Sequence, residues 1–256
     1  MNFIYISILT LCFLSAQDCS TGYTEINNLC FYDGDLSVIQ KFIDNSYASN
    51  IDLGCADGDS YCGSPNPYMD DPESWFWKII DGQQYTFSNG NGIVEPLELG
   101  IQEWENGRLT SIMCGAYIYC QLSGPIPEEI NTLSEISTLR LEINNLSGFV
   151  PETLCDLMLN QEDNLQFDIS GNMLCPPYPD CSGEQGNFWY QDTSLCSNIG
   201  DLNQDFMINI QDVILLLNII LNNNNLDYQQ IIASDINGDN QIDILDIIDL
   251  ITIILS

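Results

Sequence analysis

Apolar residues recur along this chain with three different rhythms, and each rhythm predicts a different kind of element. A helical rhythm comes first at Leu36, Ile39, Phe42, Ile43 and Tyr47, with Asp35 placed to cap its start. It predicts an amphipathic helix of about three turns. The same rhythm returns at Val213, Leu216, Leu217, Ile220 and Leu221, and again at Ile247, Leu250, Ile251 and Ile254. Both of these stripes are wide, so part of each forms a small core and the rest is left as a docking face. A second rhythm, short runs rich in aromatic residues, starts at Trp75-Phe76-Trp77 and reaches Trp104, predicting short strands. The third is a spaced pattern, Leu133-x-x-Ile136-x-x-Leu139-x-Leu141-x-x-Asn144-x-Leu146. Its ending, Leu146-Ser147-Gly148-Phe149-Val150-Pro151, repeats Leu122-Ser123-Gly124-Pro125-Ile126-Pro127 after 24 residues. Fainter copies run through Leu109, Ile112 and Cys114, and through Phe167, Ile169, Asn172 and Leu174. A unit with one apolar face buries it only against its neighbours, so such a stack needs a cover at each end.

The segments between these patterns are loops or signals. Met1 to Ala16 is an apolar run ending in a small residue, shorter than a membrane span, and reads as an export signal cut near Ala16–Gln17. Gly54 to Pro72 is rich in Gly, Pro, Asp and Asn and carries Cys55 and Cys62, which predicts a stapled loop. Cys175-Pro176-Pro177-Tyr178-Pro179-Asp180-Cys181 ends the spaced pattern and reads as an end cover, and Asn222 to Asn225 is a polar connector.

Charge narrows the partners. The net charge is −33, there is no His, and the only bases are Lys41, Lys78, Arg108 and Arg140. Nucleic acid and anionic membrane are excluded as partners, because phosphate binding needs clustered Lys or Arg. A solvated acidic surface in a salty medium accounts for most of the charge. Beyond the amino-terminal run no apolar stretch reaches bilayer length without a charge, so no membrane span is expected. Cys12 leaves with the signal, and the ten remaining cysteines suit an exported protein with several disulfides. Proximity pairs Cys19 with Cys30, Cys55 with Cys62, Cys114 with Cys120 and Cys175 with Cys181. That set leaves Cys155 and Cys196 over, so spacing does not decide connectivity.

The chemistry concentrates in two acidic loops. Asp201 to Asp212 carries Asp201, Asn203, Asp205, Asn209 and Asp212 at loop positions 1, 3, 5, 9 and 12. Asp235 to Asp246 carries Asp235, Asn237, Asp239, Asp243 and Asp246 at the same positions, 34 residues later. Met207 and Gln241 stand at position 7, where the backbone carbonyl serves. A hard cation takes six to eight oxygens, and these offsets supply them, so two calcium ions are expected. Ile208 and Ile242 stand at position 8, as where two loops pair through a short strand. The second loop has four carboxylates against three, which predicts tighter binding there. Among other acids, Glu95, Glu98, Glu103 and Glu105 offer a paired-carboxylate alternative of the glycosidase kind. Trp75 reads either as a sugar-stacking face or as core.

The paired loops, each followed by a helix pattern but with no helix entering the first, resemble the type I dockerin module over Gly200 to Leu255. The resemblance implies a secreted, calcium-dependent plug that binds a cohesin-like module and travels with polysaccharide breakdown. Phe206 and Asn240 replace the Gly usual after the third ligand. The family's partner-reading positions fall on Ile210, Gln211, Leu217 and Asn218, and on Ile244, Leu245, Ile251 and Thr252, so the partner surface must be apolar. Leu133 to Pro151 resembles the plant-type leucine-rich repeat. The expected α/β chain is therefore a short capped leucine-rich-repeat solenoid plus a small all-α calcium-binding, dockerin-like module. Its expected parts are signal 1–16, cap region 17–108, repeats with their end cap 109–182, linker 183–199 and calcium module 200–256. The expected role is tethering rather than catalysis, with the repeats recognising a protein or saccharide. The alternatives are a tethered glycoside hydrolase and a purely structural surface protein.

Overall fold

A computed structural model describes residues 19–115, 117–160, 163–176, 178, 179, 181, 190–203, 208–222, 226 and 228–255. The expected signal at 1–16, residues 183–189 of the expected linker and the connector residues 223–225 lie outside the described residues.

Strands β1 (Tyr23–Ile26) and β2 (Leu29–Tyr32) pair antiparallel about Asn27 and Asn28. Both asparagines take left-handed φ, as a two-residue hairpin turn requires. Helix α1 (Asp33–Ala48) follows and buries Val38, Ile39, Phe42 and Ile43, the stripe expected from the pattern. Asp35 is not the cap. It is the third residue of the helix, fully buried, and accepts from Arg108 Nε (2.8 Å) and the Leu109 N–H (2.9 Å). A carboxylate that finds a guanidinium and a buried N–H gains more than a single capping bond offers.

The next strands are β3 (Lys78–Ile80), β4 (Gln83–Tyr85), β5 (Ile101–Glu105), β6 (Arg108–Met113), β7 (Ser123–Gly124), β8 (Thr138–Arg140), β9 (Asn145–Phe149), β10 (Phe167–Asp168) and β11 (Met173–Cys175). They form one mixed sheet in the order β10-β8-β6-β5-β3-β4 and one parallel sheet in the order β11-β9-β7. This corrects the expected fold. The chain is α/β with mixed sheets, not a capped leucine-rich-repeat solenoid joined to a small all-α dockerin-like module. The reason lies in the strands of the supposed cap region. β5 pairs antiparallel with β6, and β3 pairs parallel with β5 and antiparallel with β4. Backbone hydrogen bonding thus carries one sheet through from the aromatic stretch into the spaced leucines, and side-chain periodicity does not report that continuity.

The core follows the spaced pattern closely. Leu109, Ile112, Leu122, Ile126, Leu133, Leu139, Leu141, Leu146, Phe167, Ile169 and Leu174 are buried in one cluster with the α1 stripe. Asn144 accepts from the Leu122 N–H (2.9 Å) and donates to Cys114 O (2.7 Å) and Leu141 O (2.9 Å). Asn172 repeats the pattern one step on, accepting from Leu146 N–H (3.0 Å) and donating to Leu141 O (3.0 Å) and Ile169 O (2.8 Å). Gln191 takes the next station, accepting from Leu174 N–H (3.2 Å) and donating to Ile169 O (2.9 Å). These amides satisfy backbone groups where the chain turns out of the sheet inside an apolar core.

Five disulfides are formed, which fits an extracellular protein. Three are the proximity pairs Cys19–Cys30, Cys55–Cys62 and Cys114–Cys120. The fourth expectation is overturned: Cys181 joins Cys155, and Cys175 joins Cys196. These bridges span 26 and 21 residues, so chain folding rather than chain proximity brings their sulfurs together.

Helices α2 (Ile210–Asn222), α3 (Tyr228–Ser234) and α4 (Ile244–Leu255) complete the described chain. Val213, Leu216, Ile236, Ile247 and Leu250 make their own small core. The segment also touches the sheets: a Cβ at Gly238 would collide with the Phe149 ring, and Asn240 Nδ2 reaches Glu128 Oε1 at 3.4 Å. No helix among the described residues is long and apolar enough to cross a membrane.

Candidate metal centre

The two acidic loops fold alike where both are described. In the first, Asp212 is fully buried and accepts from Leu202 N–H (2.9 Å), Asn203 N–H (3.3 Å) and Asn209 N–H (2.8 Å). In the second, Asp246 is fully buried and accepts from Ile236 N–H (2.8 Å), Asn237 N–H (3.3 Å) and Asp243 N–H (2.8 Å). These are the same loop positions at matching distances. Each position-12 carboxylate therefore draws both ends of its loop together from the first turn of the helix that follows.

The second loop is described throughout. Asp235 accepts from Gly238 N–H (2.9 Å) with one oxygen and Asn240 N–H (3.0 Å) with the other. Gly238 and Asn240 both have left-handed φ, 75° and 61°, which turns their N–H groups inward. Asn237 Oδ1 accepts from Asp239 N–H and Asp239 Oδ1 from Gln241 N–H, fixing both side chains against the turning backbone. In the first loop Asp201 is buried, and Asn209 Oδ1 accepts from Gln211 N–H (2.8 Å). Asn203 Nδ2 lies 3.3 Å from Gln211 Oε1. Asp205 and Met207 lie outside the described residues. The expected strand at position 8 is not formed at Ile208 or Ile242; Ile242 packs instead against the small core.

The electrostatics of the second loop suit a cation. Burial pushes the Asp235 carboxyl up to about 6; the Asn240 N–H opposes this, and the Asp246 and Asp239 charges add to it. Burial likewise raises Asp246, with Asp239 adding repulsion against three backbone N–H bonds. Carboxylates that feel one another, with no base beside them, are relieved by a divalent ion. Among the described residues, no three or more His, Cys, Asp or Glu side chains close into a metal-binding group. That bears neither way on calcium, since Asn and backbone oxygens complete such loops.

The helices after the loops expose matching stripes. Ile210, Ile214, Leu217 and Leu221 are exposed on α2, and Ile244, Ile248, Ile251 and Leu255 on α4, each spaced four, three and four residues apart. The eight partner-reading positions named from the resemblance are all exposed.

A third copy of the hydrogen-bond frame was missed in the sequence. Glu98 accepts from Asn89 N–H (3.1 Å) and Glu95 N–H (2.9 Å), at the offsets by which Asp246 takes Asn237 and Asp243. Asn91 N–H goes to Asn89 Oδ1 and Ile93 N–H to Asn91 Oδ1. Gly90 and Gly92 are left-handed, as Gly238 and Asn240 are, and both N–H groups go to one carboxylate. That carboxylate is Asp70, which reaches the loop from outside it. The signal was legible: Asn89, Asn91, Glu95 and Glu98 share the spacing of Asn237, Asp239, Asp243 and Asp246. Phe87 at the first position hid it. A buried amine lies beside this frame. The Lys78 ammonium is fully buried, donates to Phe76 O (2.9 Å), Glu98 O (3.3 Å) and Gly100 O (2.7 Å), and feels the Glu98 charge. Burial pulls Lys78 down to about 7 and lifts Glu98 to about 7.

The remaining sequence candidates fall as follows. Glu95 Oε2 accepts from Asn89 Nδ2 (2.8 Å), and Glu103 and Glu105 are exposed on β5. Trp104 and Phe76 are core, whereas Trp75 is 42 % exposed. Compared with models of known protein families and with curated protein sequences, the chain matches none.

Proposed function

We propose that this is a secreted tethering protein in which two calcium ions shape a helical docking face. The first ion would be held by Asp201, Asn203, Asp205, the Met207 carbonyl, Asn209 and Asp212. The second would take Asp235, Asn237, Asp239, the Gln241 carbonyl, Asp243 and Asp246. One observation carries the reading: Asp212 and Asp246, 34 residues apart, each collect the backbone N–H groups at loop positions 2, 3 and 9 at matching distances. Such a frame positions the remaining oxygens and leaves a concentration of negative charge for the ion to neutralise. The exposed stripes of α2 and α4 supply the docking face, and their apolar character calls for an apolar partner. By the dockerin resemblance, that partner is a cohesin-like module. The sheet domain would then recognise a protein or saccharide, in support of polysaccharide breakdown.

The test is a capture experiment from the secreted proteins of the producing organism, with calcium and with EDTA. The reading expects a partner retained only with calcium, and lost when Ile214→Glu and Ile248→Glu are combined. Calorimetry should give two ions per chain. Capture indifferent to EDTA, or no heat of calcium binding, would sink it.

A further inference from the structure

We propose that an aromatic cleft beside the Cys55–Cys62 and Cys114–Cys120 disulfides binds an alkylated ammonium group. The inference is independent of the calcium reading. The cleft has a volume of about 220 Å³ and is lined by Tyr61, Tyr68, Trp75, Phe76, Tyr119 and their neighbours. One wall is a continuous run of rings. Tyr61 and Tyr68 lie 4.4 Å apart, Tyr68 meets Phe76 edge-on at 6.3 Å, and Trp75 stacks on Phe76 at 4.4 Å. Of these, Phe76 is core, while Tyr61 and Trp75 stay 57 % and 42 % exposed. Tyr119, 60 % exposed, lines the cleft from a separate segment.

The walls are fixed to each other through their backbones. Asn66 N–H donates to Cys120 O (2.8 Å), and Asn66 Nδ2 to Tyr119 O (2.8 Å). Gly63 N–H donates to Gln121 Oε1 (2.9 Å). Tyr119 and Gln121 both hold φ of 54°, a left-handed conformation that costs a non-glycine residue about 1 kcal/mol or more. Disulfides and hydrogen-bonded cross-links thus hold the segments that carry these exposed rings, and exposed rings add little to a core.

Ligand class follows from what the cleft lacks. Asn66 braces the backbone, its Oδ1 accepting from Tyr68 N–H while its Nδ2 donates to Tyr119 O. Gln121 Oε1 is bonded to Gly63. An anion is repelled by a chain of net charge −33. None of the four bases is spare. Lys41 is bound to Glu129, Lys78 to three carbonyls, Arg108 to Asp35, and Arg140 to Glu142. Asp71 and Glu73 add negative potential at the Tyr68 hydroxyl, which also bonds Tyr61. Ring faces under a negative field match a cation whose apolar surface lies against them. A trimethylammonium head is such a group, and the cleft is of a size to take one.

The full-length protein, saturated with calcium, is titrated with tetramethylammonium at constant ionic strength. Binding is read by saturation-transfer NMR on the ligand methyls. The neutral isostere 3,3-dimethylbutanol and the disaccharide cellobiose are run beside it. Saturable tetramethylammonium binding is expected, with the isostere weaker by about tenfold. Trp75→Ala and Tyr119→Ala should each abolish it, Trp75→Phe should keep part of it, and Asp71→Asn with Glu73→Gln should weaken it several-fold. Circular dichroism of each variant excludes misfolding as the cause. Equal binding of the isostere, binding of cellobiose in place of tetramethylammonium, or no saturable binding overturns the proposal.

Discussion

Replacing Asp246 by Ala should melt the acidic-loop segment and leave the sheets intact. Asp246 is fully buried and accepts three backbone N–H groups, two at 2.8 Å and one at 3.3 Å. Alanine leaves all three without a partner. An orphaned buried donor costs about 1–3 kcal/mol, and the half-buried Asn237 and Asp243 donors count at the low end, so the loss is roughly 3–5 kcal/mol. The core that must absorb it is five side chains, Val213, Leu216, Ile236, Ile247 and Leu250. So small a core has little stability to spare. The large cluster around α1 and the sheets shares none of those five residues. Hydrogen exchange by mass spectrometry reads the two regions separately. In Asp246→Ala, the amides of α2 and α4 should lose protection by at least about a hundredfold, as ~3 kcal/mol implies. Those of β6 and β8 should keep theirs. Asp246→Asn, which retains one accepting oxygen, should fall between. Protection of α4 within a few-fold of the parent would refute the argument, because the three bonds would then be carrying nothing.

Other predictions follow from neighbouring features. Adding EDTA should remove helical circular dichroism from α2 and α4 while the sheet signal stays. Calorimetry should assign the tighter calcium site to Asp235–Asp246, and loss of loop carboxylates there should weaken that site first. Asn172→Ala orphans Leu146 N–H, while the carbonyls of Leu141 and Ile169 each keep a second donor in Asn144 and Gln191, and should cost about 1–3 kcal/mol in urea unfolding. Lys78 and Glu98 set opposite pH slopes. Between 4.5 and about 7 the folded state keeps a proton on Glu98 that the unfolded state has lost, so stability contributed there falls as pH rises. Between about 7 and 10.5 the folded state has released the Lys78 proton that the unfolded state keeps, so stability rises with pH. Urea midpoints at pH 5, 7 and 9 should show the upper limb vanish in Lys78→Met and the lower limb in Glu98→Gln.

The amino-acid sequence by itself determined the features whose partners lie within a dozen residues. The α1 stripe, the stripes of α2 and α4, and the two acidic loops were legible because helix and loop hydrogen bonds link positions at short, fixed offsets. The buried leucines and Asn144 were legible for a different reason, since each unit repeats the spacing of the one before it. Only the tertiary structure decided which backbone groups meet across the chain. It joined β5 to β6 and β3 to β5 in one mixed sheet, so the expected solenoid with its separate helical module gave way. It sent Cys155 to Cys181 and Cys175 to Cys196. It placed Asp70 under Gly90 and Gly92, and Gln191 after Asn172 as the next bonded amide. In each case a group far along the chain satisfies a donor or acceptor that local spacing leaves open, and the identity of that distant group is settled when the core closes.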